Sequence, residues 1–140
     1  MPSAYNKFNQ FTLDLINGVH DFDAHTFKFM LTNTAPVATN AVKADLTEIA
    51  GGNGYTAGGH TTAITTSTAT GTGKATAADV VVTASGAVGP FRYVAIFNDT
   101  AATPLKPLIG WWDYGTSISL ASAETFTIDA DATNGIFTVA

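Results

Sequence analysis

One stretch constrains this chain more than any other: residues 91–115, FRYVAIFND, the loop TAATPLKP, then LIGWWDYG. Successive side chains of a strand point to opposite faces, so Phe91, Tyr93, Ala95 and Phe97 are expected on one face and Val94 and Ile96 on the other. The second arm sorts in the same way, with Leu108, Trp112 and Tyr114 opposed to Ile109 and Trp111. Strands that are apolar on both faces belong between two layers. Asn98 and Asp99 open a turn, while Pro104 and Pro107 have no amide proton to give a ladder and mark a loop. The pattern predicts a β-hairpin with a long loop, and it carries both tryptophans of the protein. Aromatic groups dominate core energetics, so the rest of the fold is expected to form around this hairpin.

With 140 residues the chain fits one domain with a single sizeable core. Only 12% of its residues are charged, against 23 threonines, 23 alanines and 13 glycines. Threonine favours strands while alanine and glycine weaken them, so the core must come from a few aromatic and branched clusters joined by polar connections. So low a charge favours a protein that spends its life assembled. The net charge of −5 and a single arginine, Arg92, leave no basic footprint for nucleic acid. With no cysteine, disulfides and thiolate chemistry are excluded. The opening MPSAYNKFNQF lacks a signal-peptide apolar run, and no stretch is long and apolar enough to span a bilayer, so a soluble product of the cytoplasm with no membrane partner is expected.

Along the chain, Ser3 is placed to cap a helix over residues 4–17, with Phe8, Phe11, Leu15 and Ile16 at three- and four-residue steps and Gly18 as its stop. Such a helix is short enough to need packing on the β core. Residues 26–31 alternate as a half-buried strand, with Phe27, Phe29 and Leu31 inward and Lys28 and Met30 outward. Residues 32–72 then lose the pattern. This is far longer than an ordinary connection of about 4–6 residues, and Leu46, Ile49, Tyr55 and Ile64 are its few anchors. It reads as an ordered arm laid over the sheet or over a neighbouring subunit. The main β core is expected over 73–140. There Val80 and Val82 oppose Val81 and Thr83, TFTIDA alternates, and Asn134-Gly135 predicts a hairpin into the closing GIFTVA. Roughly five to seven strands with one leading helix predict an all-β, antiparallel β-sandwich, with the jelly roll among its possible arrangements.

Candidate chemistry is sparse. In HDFDAH, Asp21, Asp23 and His25 share one side of an extended chain and could ligate zinc or manganese, but the segment follows a helix stop and reads better as a solvated turn. Residues 129–135, DADATNG, resemble a calcium loop, yet the sixth and twelfth positions are Asn134 and Ala140 rather than glycine and glutamate. GGNGYTAGG lacks the flanking strand and helix of a dinucleotide site. GTGKAT carries Ala75 where a P-loop needs Ser or Thr, and Thr68 where it needs glycine. No nucleophile elbow is present. The two glutamates, Glu48 and Glu124, form no motif, so no catalytic, cofactor or metal residues are assigned and an enzyme is not expected. Trp111 and Trp112 point to opposite faces of one strand, so at most one belongs to the core of a simple sandwich. The other is left either to meet a sugar or a protein partner or to be buried beneath the N-terminal helix or the long arm.

Six stretches carry a resemblance: YNKF near the N-terminus, MLTNTAPVATN, EIAGGNGYTAGG, GPFRYVAIFND, KPLIGWWDYG and DATNGIFTVA. Together they span most of the chain, which resembles a family of small virion proteins of tailed bacteriophages. The resemblance implies a capsid decoration, or cement, protein. Such a protein has a β-sandwich body, is made in the host cytoplasm, and sits on the outer capsid surface in many copies as a homo-oligomer on the major capsid protein. On that reading the contact residues are Tyr5 and Phe8 of the N-terminal segment, Leu46, Ile49 and Tyr55 of the arm, and an exposed Trp111 or Trp112. The rival reading is a tail or head-fibre module for a host glycan, which requires an exposed tryptophan or tyrosine platform flanked by polar groups. A glycan hydrolase would need two carboxylates facing across a cleft, and the sequence offers no such pair.

Overall fold

The computed structural model describes residues 3–140. In chain order the elements are β1 (Asn6–Lys7), α1 (Asn9–Ile16), β2 (Phe27–Thr32), β3 (His60–Thr62), β4 (Ile64–Ala69), β5 (Thr72–Ala77), β6 (Val80–Thr83), β7 (Val88–Asn98), β8 (Leu108–Leu120), β9 (Thr125–Ile128) and β10 (Phe137–Val139), with one 3-10 turn at Lys43–Asp45. The predicted hairpin, β7–β8, lies at the centre of a five-stranded sheet ordered β1-β8-β7-β2-β3. A three-stranded sheet, β10-β5-β4, and a two-stranded sheet, β6-β9, complete the fold, and every strand pair is antiparallel. The architecture is thus the expected all-β, sandwich-like one, divided five, three and two rather than into the two equal sheets of a jelly roll. No helix of the described residues is long and apolar enough to cross a membrane.

Both faces of the large sheet are covered. On one face Phe27, Phe29, Leu31, Phe91, Val94, Ile96 and Ile109 meet Ala75, Ala77, Val82, Ile128 and Ile136 from the smaller sheets and the segment before β10. On the other, Met30, Ala95, Phe97 and Leu108 are roofed by Phe8 and Leu46, with Trp111 leaning on them. Met30, expected to point outward, is therefore fully buried, because β2 has a core on each side.

Strict alternation fails at two places in the hairpin, each at a register irregularity. Ile96 pairs with Gly110 but Phe97 pairs with Leu108, so Ile109 is one residue too many on β8. This bulge turns Leu108 to the face of Trp111, and Ile109 to the face of Trp112, the reverse of the expected grouping. A second irregularity, between Phe91 and Tyr93, turns Phe91 to the face of Val94 and Ile96.

The N-terminus departs from the expected helix over 4–17. Asn6 and Lys7 pair instead with Trp111 and Gly110, because the open edge of β8 offers them backbone partners. Helix α1 starts only at Asn9, with Phe8 rather than Ser3 at the N-cap and no side-chain cap bond. Phe8, Phe11 and Asp14 are buried and Leu15 is half-buried, whereas Leu13 (50% exposed) and Ile16 (76%) face out.

The segment 32–72 is only partly an arm. Its threonine-rich end forms β3, β4 and the start of β5, with the chain turning at Thr70 and Gly71, both at positive φ. β-branched threonines thus make strands where the small-residue run had suggested none. Residues 33–59 cross the chain's own sheet and are fixed there by a bridge from Thr32 to Glu48 and another from Val42 to Pro107. Sheet residues also lie outside 73–140, since β2 is a central strand of the five-stranded sheet.

At the other end, Asn134-Gly135 does not fold β9 onto β10. The Asp131 carboxylate accepts hydrogen bonds from the Thr133 and Asn134 amides and from Asn134 Nδ2, at 3.1, 3.0 and 2.9 Å. The loop becomes an Asp-centred turn that delivers β10 to β5, in register Phe137↔Ala75, while β9 pairs with β6.

A candidate ligand cleft on the aromatic face

Trp112 lies opposite Val94 on the face of the large sheet that meets the smaller sheets. Tyr5, carried there by β1, sets its ring 5.5 Å from that of Trp112, and Phe29 touches the same indole at 5.9 Å. Tyr5 reaches this place because position 110 is glycine. A Cβ there would stand 2.1 Å from Tyr5 Cε2 and 2.8 Å from the Asn6 carbonyl oxygen. The Tyr5 hydroxyl donates to the Ile109 carbonyl at 3.4 Å, and burial raises its pKa above the ordinary tyrosine value. Two residues beyond Trp112, Tyr114 is 51% exposed and packs edge-on to Phe126 of β9, ring centres 5.5 Å apart.

These two aromatic pairs wall a cleft of about 310 Å3, with Asp129 and Asp131 on its rim and Ser3 and Thr127 beside them. Asp129 is exposed and accepts the Asp131 amide at 3.2 Å. The pKa of Asp131 is lowered by the Asn134 backbone and side chain, and then by the Thr133 amide and the Lys74 charge. Among the described residues no cationic side chain lines the cleft. Aromatic faces can stack on apolar surface, and carboxylates and hydroxyls can accept or share hydrogen bonds.

The residues singled out from sequence separate into three groups. Trp112 and Tyr5 join this cleft. Phe8, Leu46 and Trp111 belong to the smaller core on the opposite face, the Phe8 and Trp111 rings 4.5 Å apart. Ile49 and Tyr55 pack with the larger core. The Tyr55 hydroxyl donates to Glu48 Oε1 at 2.7 Å and accepts the Leu31 amide at 3.1 Å, and burial is the main cause of its raised pKa. Glu48 also receives the Gly58 amide at 2.9 Å and Lys43 Nζ at 2.8 Å, so this half-buried carboxylate is the hub that pins the arm. Glu124 accepts the Ala121 amide in a turn.

Elsewhere, the histidine segment forms a polar knot instead of a ligand set. Asp21 Oδ1 accepts the Asp23 and Ala24 amides, and Asn98 Nδ2 donates to Nδ1 of both His20 and His25, at 3.2 and 2.9 Å. Among the described residues no group of three or more His, Asp or Glu side chains is placed to hold a metal ion.

The chain matches no family model, no curated protein and no solved structure at a significant level.

Tyr114 and Phe126 were missed as site residues in the sequence. The alternation of β8 already set Tyr114 on the side of Trp112, but nothing local shows that β9 brings Phe126 across from another sheet.

Proposed function

We propose that this chain is a capsid decoration protein of a tailed phage, a non-catalytic domain that binds the major capsid protein in many copies on the outer shell and ties neighbouring subunits together. The observation that carries the reading is the outward face of α1. Leu13 and Ile16 are one helical turn apart and exposed, and the Asn9 amide bonds the Ala38 carbonyl at 2.9 Å, which brings the loop with exposed Val37 beside the start of the helix. The resemblance to virion proteins and the low charge support the same role. So does a body whose large sheet is covered on both faces without help from a partner.

Phe8, Leu46 and Tyr55 are occupied inside the chain, so the contact assigned to the N-terminal segment moves to Leu13 and Ile16. Covering one such aliphatic side chain contributes at most about 1.5–3 kcal/mol, so a single copy holds weakly. Repetition over a shell supplies the rest.

The test is co-sedimentation of the purified chain with capsid shells lacking it, before and after expansion. Saturable binding at a symmetry-related copy number is expected, as is its loss in Ile16→Asp, whose exposed position leaves the fold intact. Absence of binding to either shell form defeats the reading.

A further inference from the structure

We infer that the cleft between the Tyr5–Trp112 and Tyr114–Phe126 pairs is a binding site for a neutral oligosaccharide. Its volume, about 310 Å3, stands at the small end of ligand clefts, roughly 300–1,000 Å3. That is room for one or two sugar rings with the remainder of the chain outside. A pyranose presents an apolar C–H face and an edge of hydroxyls. The first matches an aromatic wall that the fold leaves in solvent at Tyr114, and the second matches a rim of carboxylate and hydroxyl oxygens at Asp129, Thr127 and Ser3.

The charge pattern selects among ligands. An acidic sugar or a phosphate would meet the exposed Asp129 carboxylate, which no cationic side chain among the described residues pairs. A cationic ligand is disfavoured for a different reason. The Asp131 carboxylate already takes three N–H donors, and Lys74, bonded to the Thr133 carbonyl at 2.7 Å, puts a positive charge beside it. Asp129 Oδ1 is likewise engaged by the Asp131 amide, which leaves its second oxygen to accept a hydroxyl. The rim therefore offers acceptors more than unbalanced charge. The walls are also set before binding: Trp112 is wedged between Tyr5 and Phe29, and Phe126 is held edge-on to Phe91 at 4.9 Å, so little ordering is left to oppose association. The site stands apart from the shell-binding reading, because a decoration domain and a fibre module can display it alike.

The experiment is isothermal titration calorimetry of the full chain with maltotriose, cellotriose and triacetylchitotriose, with sialyllactose and trilysine as the acidic and cationic comparisons. Saturable binding of at least one neutral trisaccharide is expected, with none for sialyllactose. Tyr114→Ala should weaken it about tenfold or more, since one stacking ring is lost. Asp129→Asn, which keeps the shape of the rim, should weaken it less, and Trp111→Phe on the opposite face should leave it unchanged. Circular dichroism establishes that each variant is folded. The inference is overturned by silence from all three neutral sugars at about 10 mM, by binding of trilysine in their place, or by full retention of sugar binding in both Tyr114→Ala and Asp129→Asn.

Discussion

Lowering the pH should destabilise this protein through His20. His20 is 7% exposed, and burial lowers its pKa from 6.5 to about 4, the Asp14 carboxylate opposing that shift and His25 adding to it. Geometry gives the same direction. Asn98 Nδ2 donates to His20 Nδ1, so the neutral ring carries its proton on Nε2, and a proton arriving on Nδ1 would meet an N–H donor. The His20 pKa is depressed in the folded state, so the unfolded chain binds the extra proton between pH 6.5 and 4. Stability is complete above about pH 6.5 and falls as the pH drops through that window. With a folded value near 4, the loss between about pH 7.5 and pH 4.5 comes to about 2.5 kcal/mol. Urea unfolding at the two pH values measures it, and the comparison with His20→Gln isolates it. His60, whose pKa is also lowered chiefly by burial, is present in both proteins and cancels. The pH-dependent difference should shrink by about 2–3 kcal/mol in the variant. An unchanged difference, or an NMR titration placing His20 at its ordinary value, would refute the reasoning.

Two further perturbations probe the parts that hold the site and the arm. Gly110→Ala should cost about 1–3 kcal/mol in urea melts, since the new methyl collides with the Tyr5 ring and the Asn6 carbonyl, and amide exchange at Asn6 and Lys7 should accelerate as β1 lifts. Glu48→Ala removes the acceptor of the Tyr55 hydroxyl and the Gly58 amide, leaving a buried donor unmatched; a loss of about 1–3 kcal/mol and faster exchange at Gly58 are expected, whereas an unchanged Gly58 would show that the arm is held by other contacts.

The hairpin at 91–115 was legible because two-faced apolar alternation has one structural meaning, and the all-β class followed from it. The bulge at Ile109 had one sign in LIGWWDYG, the glycine at 110 inside a strand pattern, but its position and its effect on the faces are set by where Phe97 and Leu108 pair. The threonine-rich run hid β4 and β5 because its side chains are small and mostly exposed, so they give no apolar rhythm to read. Asn134-Gly135 misled in the opposite sense, as the Asp131 carboxylate captures the local amides before a two-residue turn can form. Of the cleft, Trp112 and Asp129/Asp131 were visible as separate candidates. Their juxtaposition was not, because it depends on β9 and the loop after it crossing from another sheet.

Adjacent tryptophans ordinarily confuse a fluorescence record, but the parity of β8 separates them here. Trp111 sits against Phe8 above one core, and Trp112 sits against Tyr5 and Phe29 beside the cleft. Neighbours in sequence thus become two emitters on opposite sides of a single sheet. With either indole replaced by phenylalanine, the remaining emission reports on one side of the molecule alone.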